Sequence, residues 1–422
     1  MKKFINIVIC FLLIFMVLLT TGCETQYLGG DRNEKWKKDL SYLQEALPNK
    51  HANLFFKVSE EQFNKEIDDL KDSVDNLNDD EIIDRIYKIV AAVGDGHTKI
   101  TRKFSKAYPF QFYYFKDGIC AIDTIDEYKD ALDCKLIKIN GQDIKEIENK
   151  LSPLAAQENE ETIKKVVPTY LSRPEILHGV NIIDNIDEDI IFTFQDKQGK
   201  IFDVNVKPLN SDANNSSTFI INNTFDQSYP LYMQKRDLNY WYQYLEKDKV
   251  LYLKYNLCEE NNKSGKLSDF NNEVLSFINN NDVNKLVIDM RDNSGGNASK
   301  LQDIIEGIKN SKLNTKDNFY VIVGRATFSA SIVDAVNWRK ETNATFIGQP
   351  TSGKPNHYGE IKRFTLPNSK LNVSYSTSYV EICDDENNSF MPDKTIEISI
   401  DDYVNKNDPV LDYIRKNNKS IR

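Results

Sequence analysis

Histidine and cysteine are scarce in this 422-residue chain, and their scarcity narrows the chemistry open to it. Only His51, His97, His178 and His357 occur, and no His-Glu-x-x-His or Cys-x-x-Cys pattern is present, so a zinc hydrolase is disfavoured and no metal or organic cofactor is implied. Beyond residue 23 the cysteines are Cys120, Cys134, Cys258 and Cys383, too few and too scattered for a disulfide framework, although Cys120 and Cys134 are left open as a pair. Positive charge is also short. Lys and Arg number 54 against 64 Asp and Glu, for a net charge of −10, which gives nucleic-acid binding no electrostatic support. Tryptophan is limited to Trp36, Trp241 and Trp338, read as packing anchors. One long apolar run exists, Phe4 to Leu19, and it is short for a membrane span.

That run follows Lys2 and Lys3 and ends in Thr20-Thr21-Gly22-Cys23, the layout of a targeting segment. It resembles a bacterial lipoprotein signal, in which residues 1–22 are removed and Cys23 carries the lipid that anchors the protein to a membrane. An ordinary signal peptide or an uncleaved anchor are the alternatives. All three place the remaining chain outside the cytoplasm. The loss of Lys2 and Lys3 takes the mature charge to about −12.

Three amphipathic helices are expected over 24–105. Trp36, Leu40, Leu43 and Leu47 recur at helical spacing before Pro48; Phe63, Ile67, Leu70 and Val74 follow a cap at Ser59; Ile82, Ile83, Ile86, Ile89 and Val90 follow Asp79 or Asp80, with a stop at Gly94. From 106 to 207 the texture changes to short aromatic and β-branched runs such as "YPFQFYYF", with Asn140-Gly141 as a tight turn in "LIKINGQDI". From 218 to 422 apolar strands alternate with helical patterns, which predicts a mixed α/β fold with a layered β-α-β sheet.

Four stretches carry polar groups suited to chemistry: "GDGHT" at 94–98, "DMRDNSGG" at 289–296, "TFSAS" at 327–331 and "GQPTSGKPNHYG" at 348–359. Leu286 to Met290 runs as a strand into the double glycine, with a helix expected near Ala298. Gly295 and Gly296 are thus placed to aim backbone N–H groups into a crevice at the strand ends. Ser329 stands at a strand-to-helix junction, where a serine is either a plain helix cap or a nucleophile beside the N–H of Ala330. A nucleophile needs a base, and two are available: His97 and Lys354. An imidazole titrates near neutrality, whereas an ammonium must be buried to lose its proton.

In their order these motifs resemble the tail-specific, or C-terminal processing, serine peptidases with their tricorn-core and retinoid-binding-protein-like relatives. The resemblance extends from the helical region through "LIKINGQDI", similar to a segment of PDZ-like modules, to "PDKTIEISIDDYVNKNDPV" at 392–410. It implies a ClpP/crotonase-like sheet core with an N-terminal helical bundle and a PDZ-like module. It implies too that Ser329 is the nucleophile and that the substrate is an unfolded or C-terminally exposed polypeptide. In the Ser/Lys branch Lys354 would be the base, but Ile332 and Tyr358 replace the branch's usual Glu and Gln. In the tricorn-like branch the base would be His97, oriented through a late acid, for which Glu386 is the candidate by position, with Asp384 and Asp385 beside it. Relatives that bind ligands without cleaving them keep a non-catalytic reading open.

Overall fold

The computed structural model describes residues 27–211, 219–221, 226–298, 301–384 and 387–417; Cys23, Asp385 and Glu386 lie outside them. Its centre is a six-stranded sheet in the order 240–245, 250–255, 285–289, 319–323, 345–348, 394–395, antiparallel between the first two strands and parallel thereafter. Side chains alternate across it, as the two-residue period of a strand requires. Leu251, Leu253, Leu286, Ile288, Phe319, Val321 and Val323 face the helices Leu267–Asn280, Gln302–Lys309 and Ala330–Glu341. Val250, Tyr252, Val287, Tyr320, Ile322 and Ile347 face the opposite way, onto Val410, Leu411 and Ile414 of the helix Pro409–Lys416. This is the layered α/β architecture expected from the alternating pattern.

Ahead of the core, helices Arg32–Lys50, Glu60–Ser73 and Asp79–Ala91 bury the predicted stripes. Three ends differ from the sequence reading. The first helix runs through Pro48 to Lys50: the proline withdraws only its own bond to the residue four earlier, and the last turn is closed by the His51 N–H, which donates to the Leu47 carbonyl at 3.0 Å. The third is capped by Asn78, not by Asp79 or Asp80: Asn78 Oδ1 accepts from the Glu81 N–H, and the Glu81 carboxylate accepts from the Asn78 N–H in return. It stops at Ala91, ahead of Gly94.

A second six-stranded sheet holds Phe110–Phe115, Gly118–Thr124, Lys135–Ile139, Ile190–Gln195 and Ile201–Val206 in that order, with Gln142–Asp143 paired beside Lys135–Ile139. It shares one apolar cluster with the N-terminal helices. A long hairpin, His357–Thr365 with Asn372–Val380, leaves the core and pairs through Asn372 to Ser374 with Lys99–Thr101. That pairing brings the turn containing His97 to the core. Cys120, Cys134, Cys258 and Cys383 are free thiols, so Cys120 and Cys134 are not bridged here. Among the described residues no helix is long and apolar enough to cross a membrane.

Candidate active site

The strand Phe319–Val323 ends at Gly324, and five residues later the chain enters the helix Ala330–Glu341 through Ser329. Ser329 adopts φ 56° and ψ −129°, a conformation that non-glycine residues rarely take. Its side chain makes no capping bond to the helix. Instead Ser329 Oγ lies 3.0 Å from His97 Nε2. The sharp turn therefore directs the hydroxyl away from the helix end and toward His97. Ser331, the other hydroxyl of the stretch, is fully buried with no hydrogen-bond partner among the described residues.

The turn is held from below. The Phe328 N–H donates to the Asn293 carbonyl at 3.0 Å, Thr327 Oγ1 donates to the Met290 carbonyl at 2.8 Å, and the Gly324 N–H donates to Thr327 Oγ1 at 2.9 Å. These bonds lace the serine loop to the "DMRDNSGG" loop. Asp289 in that loop is structural: it accepts from Tyr252 and Arg291 and faces Lys254. The helix after the double glycine begins at Gln302 instead of near Ala298.

The two glycines do different work. Gly295 was expected to offer its N–H to the crevice, but that N–H donates to Asn293 Oδ1 at 2.9 Å, because an Asn side chain readily captures the backbone two residues on. Gly295 contributes through its shape. Its φ is 108°, and a Cβ there would stand 2.9 Å from the Phe328 carbonyl and 3.0 Å from Ser329 Cβ. Gly295→Ala is accordingly expected to cost about 1–3 kcal/mol of stability and to displace Ser329, read as a lower denaturation midpoint together with lower turnover. The N–H groups of Gly296 and Ala330 have no backbone partner among the described residues.

His97 is fixed by a buried acid two residues earlier. The Asp95 Oδ1 accepts from the His97 N–H at 2.9 Å and stands 3.7 Å from its Nδ1. Oδ2 takes His51 Nε2 at 3.2 Å, Thr98 Oγ1 at 2.5 Å and Ser376 Oγ at 2.6 Å. His51 Nδ1 accepts from the Asn53 N–H, so Nε2 carries the proton given to Asp95. Burial by itself would raise the Asp95 carboxyl, but the bonds from His51, His97, Ser376 and Thr98 outweigh it and hold it well below the ordinary carboxylate range. His97 also packs on Phe328 at 4.6 Å and stacks on His357 at 5.7 Å between ring centres. His357 Nδ1 faces the carbonyls of Lys354 and Pro355, and burial, followed by the proximity of His97, lowers its pKa.

A second buried acid, Glu158, is not signalled by any motif. It sits in the loop before the helix Glu160–Tyr170, with Oε1 accepting from the Lys354 N–H at 2.9 Å and Oε2 unpartnered among the described residues. A Cβ on Gly96 would collide with it and would stand 2.9 Å from the Phe328 ring, so glycine beside His97 is what admits both. Burial, with the Asp95 charge adding to it, pushes Glu158 up to about 7 against the Lys354 N–H bond and the nearby His97 and Lys354. The folded protein therefore holds this proton where the unfolded chain, with a glutamate pKa of about 4.3, has released it. Stability from this group is present below about pH 4 and is lost as pH rises toward 7. Glu158→Gln should consequently gain on the wild type between pH 5 and pH 8, measured as urea midpoints at both values.

Lys354, the alternative base, contributes its backbone to this site: its N–H goes to Glu158 and its carbonyl to His357. No described hydrogen bond joins its amine to Ser329. Asp384 has no described bond to His97, and Glu386 and Asp385 lie outside the described residues. The acids found around His97 are Asp95 and Glu158. Asp95 is missed by the sequence reading, although the signal was there inside "GDGHT": an acid two residues before the histidine can reach back to its N–H.

No protein-family model matches the chain, and no curated protein matches it. Among solved structures it is similar to mature CPAF complexed with lactacystin, at 13% identity and a TM-score of 0.64, over 91% of this chain and 97% of that one. It is also similar to mature CPAF at 13% identity and a TM-score of 0.63, over 92% and 99%. What is shared at such identities is the fold, over nearly the whole of both chains.

Proposed function

We propose that the protein is a serine peptidase in which Ser329 attacks the carbonyl of a polypeptide and His97 is the general base. The observation that carries this reading is the 3.0 Å approach of His97 Nε2 to a serine held in a strained turn. His97 Nε2 takes the Ser329 proton as Oγ bonds to the carbonyl carbon, and returns it to the leaving amine. The N–H groups of Ala330 and Gly296 stabilise the oxyanion, and Asp95 orients the imidazole and balances its charge when protonated. Lys354 is a support of the loop in this scheme, not the base. Lipidation at Cys23 and an extracytoplasmic site of action belong to the same proposal, motivated by the leader.

The test separates the two bases. The full chain is offered an unfolded protein substrate and, in parallel, a fluorophosphonate probe that labels activated serines. Lys354→Met should keep labelling and cleavage within about tenfold of the wild type, while Cys23→Ser should shift the protein out of the membrane fraction. Loss of both activities in Lys354→Met, with labelling intact in His97→Ala, would overturn the histidine assignment.

A further inference from the structure

The helix that begins at Ala330 carries a buried acid that the proposed mechanism does not use. Asp334, five residues after Ser329 (334 − 329), is fully buried, and so are Cys258 and Asn293 beside it. Cys258 Sγ lies 3.2 Å from Asp334 Oδ2 and 3.4 Å from Asn293 Oδ1. Asp334 Oδ1 has no hydrogen-bond partner, and no cation pairs with this carboxyl among the described residues.

Cys258 also holds the glycine turn through its backbone. Its N–H donates to the Gly295 carbonyl at 2.8 Å, and its carbonyl accepts from the Asn297 N–H at 2.8 Å, with Gly296 between them as its bridge partner. A Cβ on Gly296 would stand 2.7 Å from the Cys258 carbonyl oxygen, so the two segments are in close contact there. Asn293 Oδ1 takes the Gly295 N–H from the other side. Cys258 therefore joins the turn to the helix of the nucleophile, by its backbone at one end and its thiol at the other.

A thiol has one S–H, and this one faces two oxygens. An ionised Asp334 would take that hydrogen, set Asn293 Oδ1 against bare sulfur, and leave charge on a buried oxygen with no partner. A neutral Asp334 avoids this: its O–H donates to Sγ, and the S–H donates to Asn293 Oδ1. Burial pushes the Asp334 carboxyl well above the ordinary range, with the Cys258 bond opposing, and burial also raises the Cys258 thiol.

We propose that Asp334 is a positioning residue: as a neutral acid it closes a chain, Asp334 O–H to Cys258 Sγ and Cys258 S–H to Asn293 Oδ1, that fixes Gly296 relative to Ala330. The inference rests on the reading of those two residues as the oxyanion donors. One donor stands on the turn and the other on the helix, so what joins turn to helix sets the gap that the oxyanion must fit.

Full-chain variants are compared by cleavage of an unfolded substrate, by the rate of fluorophosphonate labelling and by urea midpoint. Asp334→Leu, close to aspartate in shape, should lower kcat about tenfold or more with KM within about twofold, and should slow labelling to match. Its midpoint should equal or exceed that of the wild type, since an apolar side chain replaces a buried acid; a merely structural role would lower the midpoint instead. Asp334→Asn, whose amide still donates to sulfur, should return kcat to within about threefold of the wild type. Cys258→Ala should copy Asp334→Leu in kcat, and Cys258→Ser should rescue it. The infrared difference between wild type and Asp334→Asn at about pH 8, where an ordinary carboxyl is ionised, should show the carbonyl stretch of an un-ionised acid. A carboxylate band in its place, a wild-type kcat in folded Asp334→Leu or Cys258→Ala, or no rescue by Asp334→Asn would overturn the positioning role while Ser329-dependent cleavage stands. A wild type with neither cleavage nor labelling would remove the peptidase reading, and this inference with it.

Discussion

Ser329→Ala is expected to lower turnover of an unfolded substrate by about 10³-fold or more, and His97→Ala to do nearly the same, because a nucleophile and its base act as one unit. The double variant should be scarcely worse than either single one, a non-additivity that a merely structural pair would not show. A companion measurement uses the backbone. Ser329 sits at φ 56°, a region open to glycine and strained for other residues. Ser329→Ala keeps that strain, whereas Ser329→Gly relieves it, so the glycine variant should be inactive yet about 1 kcal/mol more stable than the alanine variant. A serine whose replacement by glycine raises the denaturation midpoint while activity disappears is one held in place for chemistry. If Ser329→Ala retained cleavage, the serine reading would fail outright.

What the sequence made legible follows from the range of the interactions. The layered core was readable because each strand and helix writes its own periodicity, from Leu251 and Leu253 on one face to Val250 and Tyr252 on the other. The motifs around His97 and Ser329 were readable as turns, but what brings them together is the pairing of Lys99–Thr101 with the hairpin strand Asn372–Val380, in which Lys99 faces Ser374, 275 residues further along the chain (374 − 99). No local pattern encodes that. Glu158 escaped notice for the same reason: on its own loop it is an ordinary polar residue, and only the approach of Gly96 and Lys354 encloses it. Gly295 was misread for the opposite reason. A local competitor, the Asn293 side chain two residues earlier, takes the N–H that the double-glycine pattern left for a ligand.

Asp95 is the residue whose loss should couple activity, stability and pH most tightly. Asp95→Asn removes the charge that faces His97 Nδ1 and puts an NH2 group among donors from His51, Thr98 and Ser376, so kcat should fall by roughly 10²-fold or more while KM changes little. Asp95→Ala leaves those donors without an acceptor in a buried site, at a cost of about 3 kcal/mol or more. The pH dependence has a definite sign. The folded carboxyl titrates below the unfolded value of about 3.9, so the unfolded chain binds the extra proton as the solution is acidified. The stabilisation is complete above about pH 5 and is lost as pH falls through 4 and below. Asp95→Asn has no such proton to bind; its denaturation midpoint should therefore lie below the wild type at pH 7 and approach it near pH 3. Parallel curves for the two proteins across that interval would show that Asp95 is not the charged hub of the site, and the orientation of His97 would then have to come from Glu158.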